Sequence, residues 1–247
     1  VFVQYVSSSK YVFSKISFAG VALFFISIHL FIAFKATQGR VVSEESNSAF
    51  YFSTLFSNQL TYDDLVVFDV AQKQPKESSL KKKLLSELSD FEGREYNNNV
   101  VYDRTAQSVV CRINDNEEFP PYSSSIELKK AYAAQYAKVS MKVRLPSFAK
   151  RPYQQPQLTF SVKRGEEVLI WKGIKLNNKI GWQAPYCEHK ELSFGHSHKN
   201  KWGEVHFFVD LSDIQLSKGD VIEYGVWNIV KKELFYDDLK LELWSTE

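Results

Sequence analysis

The chain has 247 residues, 31 basic and 29 acidic, with a net charge of +2 and 15% aromatic residues. That composition supplies a sizeable core and is not that of a disordered chain. The balanced charge gives no electrostatic footprint for nucleic acid. The two cysteines, Cys111 and Cys187, form no CxxC pair, so zinc ribbons and thioredoxin-type redox motifs are excluded.

The first element is ISFAGVALFFISIHLFIAF, residues 16–34, a run without a formal charge. A helix crosses the hydrocarbon of a bilayer with about 20 apolar residues, so the run predicts a transmembrane helix inside a membrane anchor at 1–40. Lys10 and Lys15 before it, and Lys35 and Arg40 after it, suit snorkelling at two interfaces. A cleaved signal peptide would have a shorter apolar core and a small-residue cleavage site. A buried core helix would show a polar face. His29 lies in the run, and both a packed neutral imidazole and a titrating or metal-binding role are open to it. The flanking charges tie, so they do not orient the span.

Residues 41–87 read as a connector. The aromatic stretch 48–70 looks built to contact another protein. QKQPKESSLKKK, 72–83, reads as a solvated linker leading into a helical turn at SSLKKKLLSEL. Its lysines also suit contact with anionic lipid.

From residue 88 onward the texture changes. NNVVYD, QSVVCRI, KVSMKVRL, QLTFSVKR, EVLIWKGIKL, EVHFFVDL, DVIEYGVW and ELFYDDLKLELW alternate apolar and polar residues, with Gly, Pro, Asn and Asp between them. This pattern predicts antiparallel strands with one buried face, in an all-β sandwich of the jelly-roll kind over 88–247. In KVSMKVRL, Val139, Met141, Val143 and Leu145 share a parity and face one core.

Three segments carry a resemblance: the start Asp90-Phe91-Glu92-Gly93, TAQSVVCRINDNEEFPPYSS at 105–124, and WGEVHFFVDLSDIQLSKGDVIEYGVWNIVKKELFYDDLKLEL at 202–243. Together they resemble the carbohydrate-binding-module-like, or galactose-binding-like, jelly rolls. Ala106-Gln107 stand where that family has a glycine, so the turn there is expected to differ. The resemblance implies a sandwich outside the cytoplasm, periplasmic or at the cell surface, on a single-pass anchor. It also implies a structural Ca²⁺ held by Glu92, Asp238 and local carbonyls; the alternative is that Asp237 and Asp238 cap a turn.

Other sites follow from residue chemistry. Cys187, His189, His196 and His198 are transition-metal ligand types but meet no zinc spacing, so they read as a solvated loop. A Cys111–Cys187 disulfide depends on a Cα separation that sequence does not supply. Glu117-Glu118 and Glu166-Glu167 are adjacent pairs rather than carboxyls facing across a cleft, and no nucleophile, metalloprotease or phosphate-loop motif is present. Among aromatics, Trp171 and Trp227 fall in strand runs and read as core. Trp182, Tyr186, Tyr153 and Trp202 read as a ligand or partner surface. The leading expectation is a non-enzymatic, membrane-anchored accessory or interaction subunit within a larger membrane complex. A glycan-binding module for cell-wall or surface polysaccharide is the alternative, and a glycoside or ester hydrolase the third reading.

Overall fold

The computed structural model describes residues 12–37, 47–54, 61–120, 122, 124–146, 155–177, 179–180 and 200–246. Three helices come first: α1 (Val12–Thr37), α2 (Ser48–Thr54) and α3 (Tyr62–Val70). Ten strands follow: β1 (Lys82–Ser89), β2 (Val100–Asp103), β3 (Ser108–Ile113), β4 (Ser124–Glu127), β5 (Tyr136–Arg144), β6 (Gln157–Arg164), β7 (Glu167–Lys175), β8 (Trp202–Asp210), β9 (Val221–Trp227) and β10 (Leu234–Ser245). All pairings are antiparallel, and they form two sheets. The first sheet runs β2-β3-β10-β5-β8, with β1 also paired to β10; the second runs β4-β9-β6-β7. The eight alternating runs each fall on a strand, and the two sheets form a β-sandwich. Val139, Met141, Val143 and Leu145 are buried on the inner face as their parity requires, with Leu158, Phe160, Ile222 and Val226 from the second sheet in the same core.

Two expectations are corrected. SSLKKKLLSEL does not start a helix: Lys82–Ser89 is strand β1, paired with Leu239–Ser245 of β10. Leu84 and Leu85 pack on the core where the register slips between Lys83 and Leu85. The sheet therefore begins at Lys82, not 88. Within the 41–87 connector, α3 packs on the sandwich. Thr61 caps α3 reciprocally with Asp64, and Leu65, Val66, Val67 and Val70 are buried.

The stretch that follows seals an open edge. β8 ends the first sheet, and edge strands leave a row of unpaired backbone groups. The Tyr62 hydroxyl accepts from the His206 N–H (2.7 Å) and donates to the His206 carbonyl (2.6 Å). The Gln74 side chain accepts from the Phe208 N–H (2.8 Å) and donates to its carbonyl (3.2 Å), and Gln72 accepts from the Asp210 N–H (3.2 Å). Side chains thus supply, at every second residue, what a neighbouring strand would. On the other side of α3, Asp69 accepts the Lys175 N–H at the end of β7 (2.8 Å) and pairs with Lys179, which is fully buried. Helix α3 therefore ties the edges of both sheets.

The paired aspartates mark a bulge. β10 pairs with β3 through Leu234–Tyr236 and with β1 through Leu239–Ser245, and its register against β5 slips between Asp237 and Lys240. Asp238 takes a left-handed backbone (φ 50°), which Asp tolerates better than most residues. The Asp237 carboxylate accepts the Asp238 N–H (2.8 Å) and the Ser108 hydroxyl (3.0 Å). The bulge lies where β10 exchanges one neighbour for another.

In the turn after β2 a glycine-type backbone is held by a non-glycine residue. Gln107 adopts φ 57°, and Asp103 Oδ1 accepts the Thr105 N–H (2.7 Å), the Ala106 N–H (3.0 Å) and the Thr105 hydroxyl (2.5 Å).

Candidate functional site

The outer face of the second sheet follows from strand parity. Along β6, Leu158, Phe160 and Val162 point into the core, so Gln157, Thr159, Ser161 and Lys163 point out. Register sets Trp171 and Glu223 opposite Ser161, Gly173 and Gly225 opposite Thr159, and Lys175 and Trp227 opposite Gln157. Val168, 51% exposed, and Val221 stand opposite Lys163 on the same face, which otherwise carries polar residues and two tryptophans on either side of a row of small residues.

Those tryptophans meet across the row. Their ring centroids are 6.2 Å apart at an interplanar angle of 80°. Gly173 makes this arrangement possible. A Cβ there would lie 2.9 Å from Gln157 Oε1 and 3.2 Å from the tip of the Trp171 ring, so any side chain would displace the amide and the indole. Trp171 is 49% exposed, and Trp227 is half-buried. The Trp227 indole N–H donates to Glu118 Oε1 (3.1 Å), and Glu118 Oε2 meets Lys231 Nζ (3.1 Å). These two contacts hold the Glu118 carboxyl below the usual carboxylate range. Across β6 from Trp171, Glu223 Oε2 accepts from Lys163 Nζ (2.7 Å) and from the Ser161 hydroxyl (3.4 Å). An exposed indole on a sheet face that also carries a carboxylate, an ammonium, a primary amide and hydroxyls can stack on an apolar ring face and hydrogen-bond its hydroxyl rim.

Trp171 and Trp227 therefore do not belong to the core, as their strand runs suggested. Both stand on the outer parity of their strands. In β9 the signal was present, since Trp227 shares its parity with Glu223 and Gly225.

The other expected sites fall elsewhere. Trp202 opens β8, donates its N–H to the Thr105 hydroxyl (3.0 Å), and lies beside Arg144, whose guanidinium also covers the Phe235 ring at 4.0 Å. It belongs to the outer face of the first sheet, across the sandwich from Trp171. Tyr153, Trp182, Tyr186, Cys187, His189, His196 and His198 lie outside the described residues. Cys111 is a free, fully buried thiol on the core side of β3. Burial pushes it up to about 12, with the Tyr236 hydroxyl opposing. In that position it faces the opposite sheet; Cys187, the other half of the possible bridge, lies outside the described residues.

For calcium, Glu92 Oε1 accepts the Val109 N–H (3.0 Å), and Asp238 Oδ2 is held by the Lys142 ammonium (2.7 Å), a cation already in place. Among the described residues no three His, Cys, Asp or Glu side chains converge to hold a metal ion. Calcium takes about 6–8 oxygens, so this pair does not make its donor set. Of the adjacent carboxylates, Glu117 accepts the Asn114 N–H (2.7 Å), Glu118 braces Trp227, and Glu166 and Glu167 are exposed at the β6–β7 turn.

No family model matches the chain, and no curated protein matches it. Among solved structures it is similar to a CBM22 xylan-binding domain from Paenibacillus barcinonensis, at 13% identity and a TM-score of 0.33 over 66% of this chain and 96% of that one. It is also similar to the C-terminal CBM6 of a marine laminarinase from Zobellia galactanivorans, at 12% identity and a TM-score of 0.31 over 64% of this chain and 98% of that one. A family GH115 4-O-methyl-α-glucuronidase with specificity for decorated arabinogalactans is matched at 12% identity and a TM-score of 0.34, over 65% of this chain and 18% of the enzyme.

Proposed function

We propose that this chain is a non-catalytic glycan-binding module that engages polysaccharide through the outer face of its second sheet. The observation that carries the reading is the Trp171–Trp227 pair on the outer sheet face, with Gly173 leaving room beneath the Trp171 ring tip and Glu118 bracing Trp227. The accessory-subunit reading leaned on the aromatic stretch 48–70 as a contact for another protein. Phe50, Leu65, Val66, Val67 and Val70 of that stretch are buried within the chain itself, while Tyr51, Phe52 and Phe56 lie outside the residues whose side chains are described.

Trp171→Ala tests the glycan reading. Truncating an exposed aromatic anchor costs about 2 kcal/mol, or roughly 30-fold in affinity. Retardation of the full chain in gels containing xylan, mannan or β-glucan should fall accordingly, with the melting temperature unchanged. Equal retardation of variant and parent would sink the proposal.

The module is further proposed to be tethered outside the cytoplasm by α1. Val21, Leu23, Phe24, Phe25, Ile26 and Leu30 of that helix are all more than half exposed, and such a surface is suited to lipid. The His29 imidazole donates to the Phe25 carbonyl (3.0 Å), which satisfies it within the helix. Side chains of α1 are described over residues 19–31, and among the described residues no helix is long and apolar enough to cross a membrane. The full chain should stay with reconstituted vesicles through alkaline carbonate extraction. Its release into the supernatant would end the tether proposal.

A further inference from the structure

From the mutual angle of the two tryptophans we infer that the site receives a single sugar ring, at a chain end or on a side branch, rather than a stretch of extended polysaccharide. This rests on the glycan-binding reading of the same face. A flat platform for an extended chain needs aromatic rings that lie parallel and spaced along the sheet, so that successive sugars each cover one ring. Here the rings touch at 6.2 Å and stand at 80°. One ring turns its edge to the face of the other, and the two cannot both lie flat beneath consecutive residues.

The arrangement is an inside corner. Trp227 is the fixed wall: it is half-buried, and its N–H is committed to Glu118, which Lys231 holds from the far side. Trp171 is the exposed floor, 49% accessible, with its ring tip over Gly173. Polar groups share this face. Gln157 Oε1 and the Trp171 ring tip both lie over Gly173, and Glu223 and Lys163 form an ion pair (2.7 Å) on the same side of the sheet. The wall stops a chain from continuing straight across the strands, while the carboxylate and amide can bond the hydroxyls of one ring. A terminal or branching pyranose or furanose fits this shape.

The experiment is calorimetric titration of the full chain with β-1,4-linked xylose, mannose and glucose and β-1,3-linked glucose oligosaccharides, from mono- to hexasaccharide, with Trp227→Ala in parallel. The expected result is that affinity stops rising at the disaccharide, and that Trp227→Ala makes longer oligosaccharides bind more tightly than short ones by removing the wall. Affinity that climbs roughly tenfold or more from disaccharide to hexasaccharide in the parent protein would overturn the corner while leaving glycan binding intact. Failure of every series to bind would overturn both.

Discussion

Lys179→Met is expected to cost roughly 3–5 kcal/mol of stability, the range for removing one partner of a buried ion pair. Lys179 is fully buried, and the Asp69 carboxylate beside it is 2% exposed. Burial pulls the Lys179 ammonium downward and Asp69 opposes that pull. With the lysine gone, Asp69 keeps the Lys175 N–H but no counter-charge, and Asp69 Oδ1 already lacks a hydrogen bond. Urea denaturation of the full chain measures the loss, and hydrogen exchange over 62–74 should rise at the same time, since α3 is held by this pair. The double variant Asp69→Asn with Lys179→Met should regain most of the difference, because asparagine retains the acceptor without the charge. A single-variant loss below about 1 kcal/mol would show that the pair is not what fixes α3.

The second large effect is an acid limb set by Asp103. Burial alone would raise this carboxyl. The Thr105 hydroxyl, the Ala106 and Thr105 N–H groups and the Arg144 guanidinium overcome burial and hold it at about 2. Its ordinary value is 3.8, so the folded state favours the charged form. The stability it confers is present above pH 4 and is lost as pH falls from about 4 to about 2, amounting to about 2 kcal/mol. Asp103→Asn should remove that part of the pH dependence. A variant whose acid limb overlays the parent's would assign the limb to other carboxylates.

What could be read from the sequence was set by how locally each element is specified. The eight alternating runs declared themselves because their periodicity is carried within each strand. β4 did not, since SSIE offers a single apolar residue. β1 misled for a physical reason: Leu84, Leu85 and Leu88 have helical spacing, and the strand exists through its pairing with β10, in which Lys83 meets Glu242 159 residues away. The tryptophans were harder still. In EVLIWKGIKL four apolar residues run together from Val168 to Trp171, so alternation does not say which face Trp171 takes; the register against Ser161 does. The role of α3 was invisible because Tyr62, Gln72 and Gln74 are ordinary linker residues until the edge of β8 is beside them.

That edge has a consequence for biosynthesis. The groups that close β8 lie 144, 134 and 138 residues upstream of the backbone they satisfy. On a ribosome the closing segment is therefore finished long before the strand that needs it. It waits without its partner while most of the chain is still being added, and β8 arrives to a cover already made. Contacts this distant in sequence are slow to form. Closure belongs with the other long-range pairings, such as that of β1 with β10, and until it forms the chain exposes the apolar side of the helix meant for β8, a state in which a chaperone has something to hold.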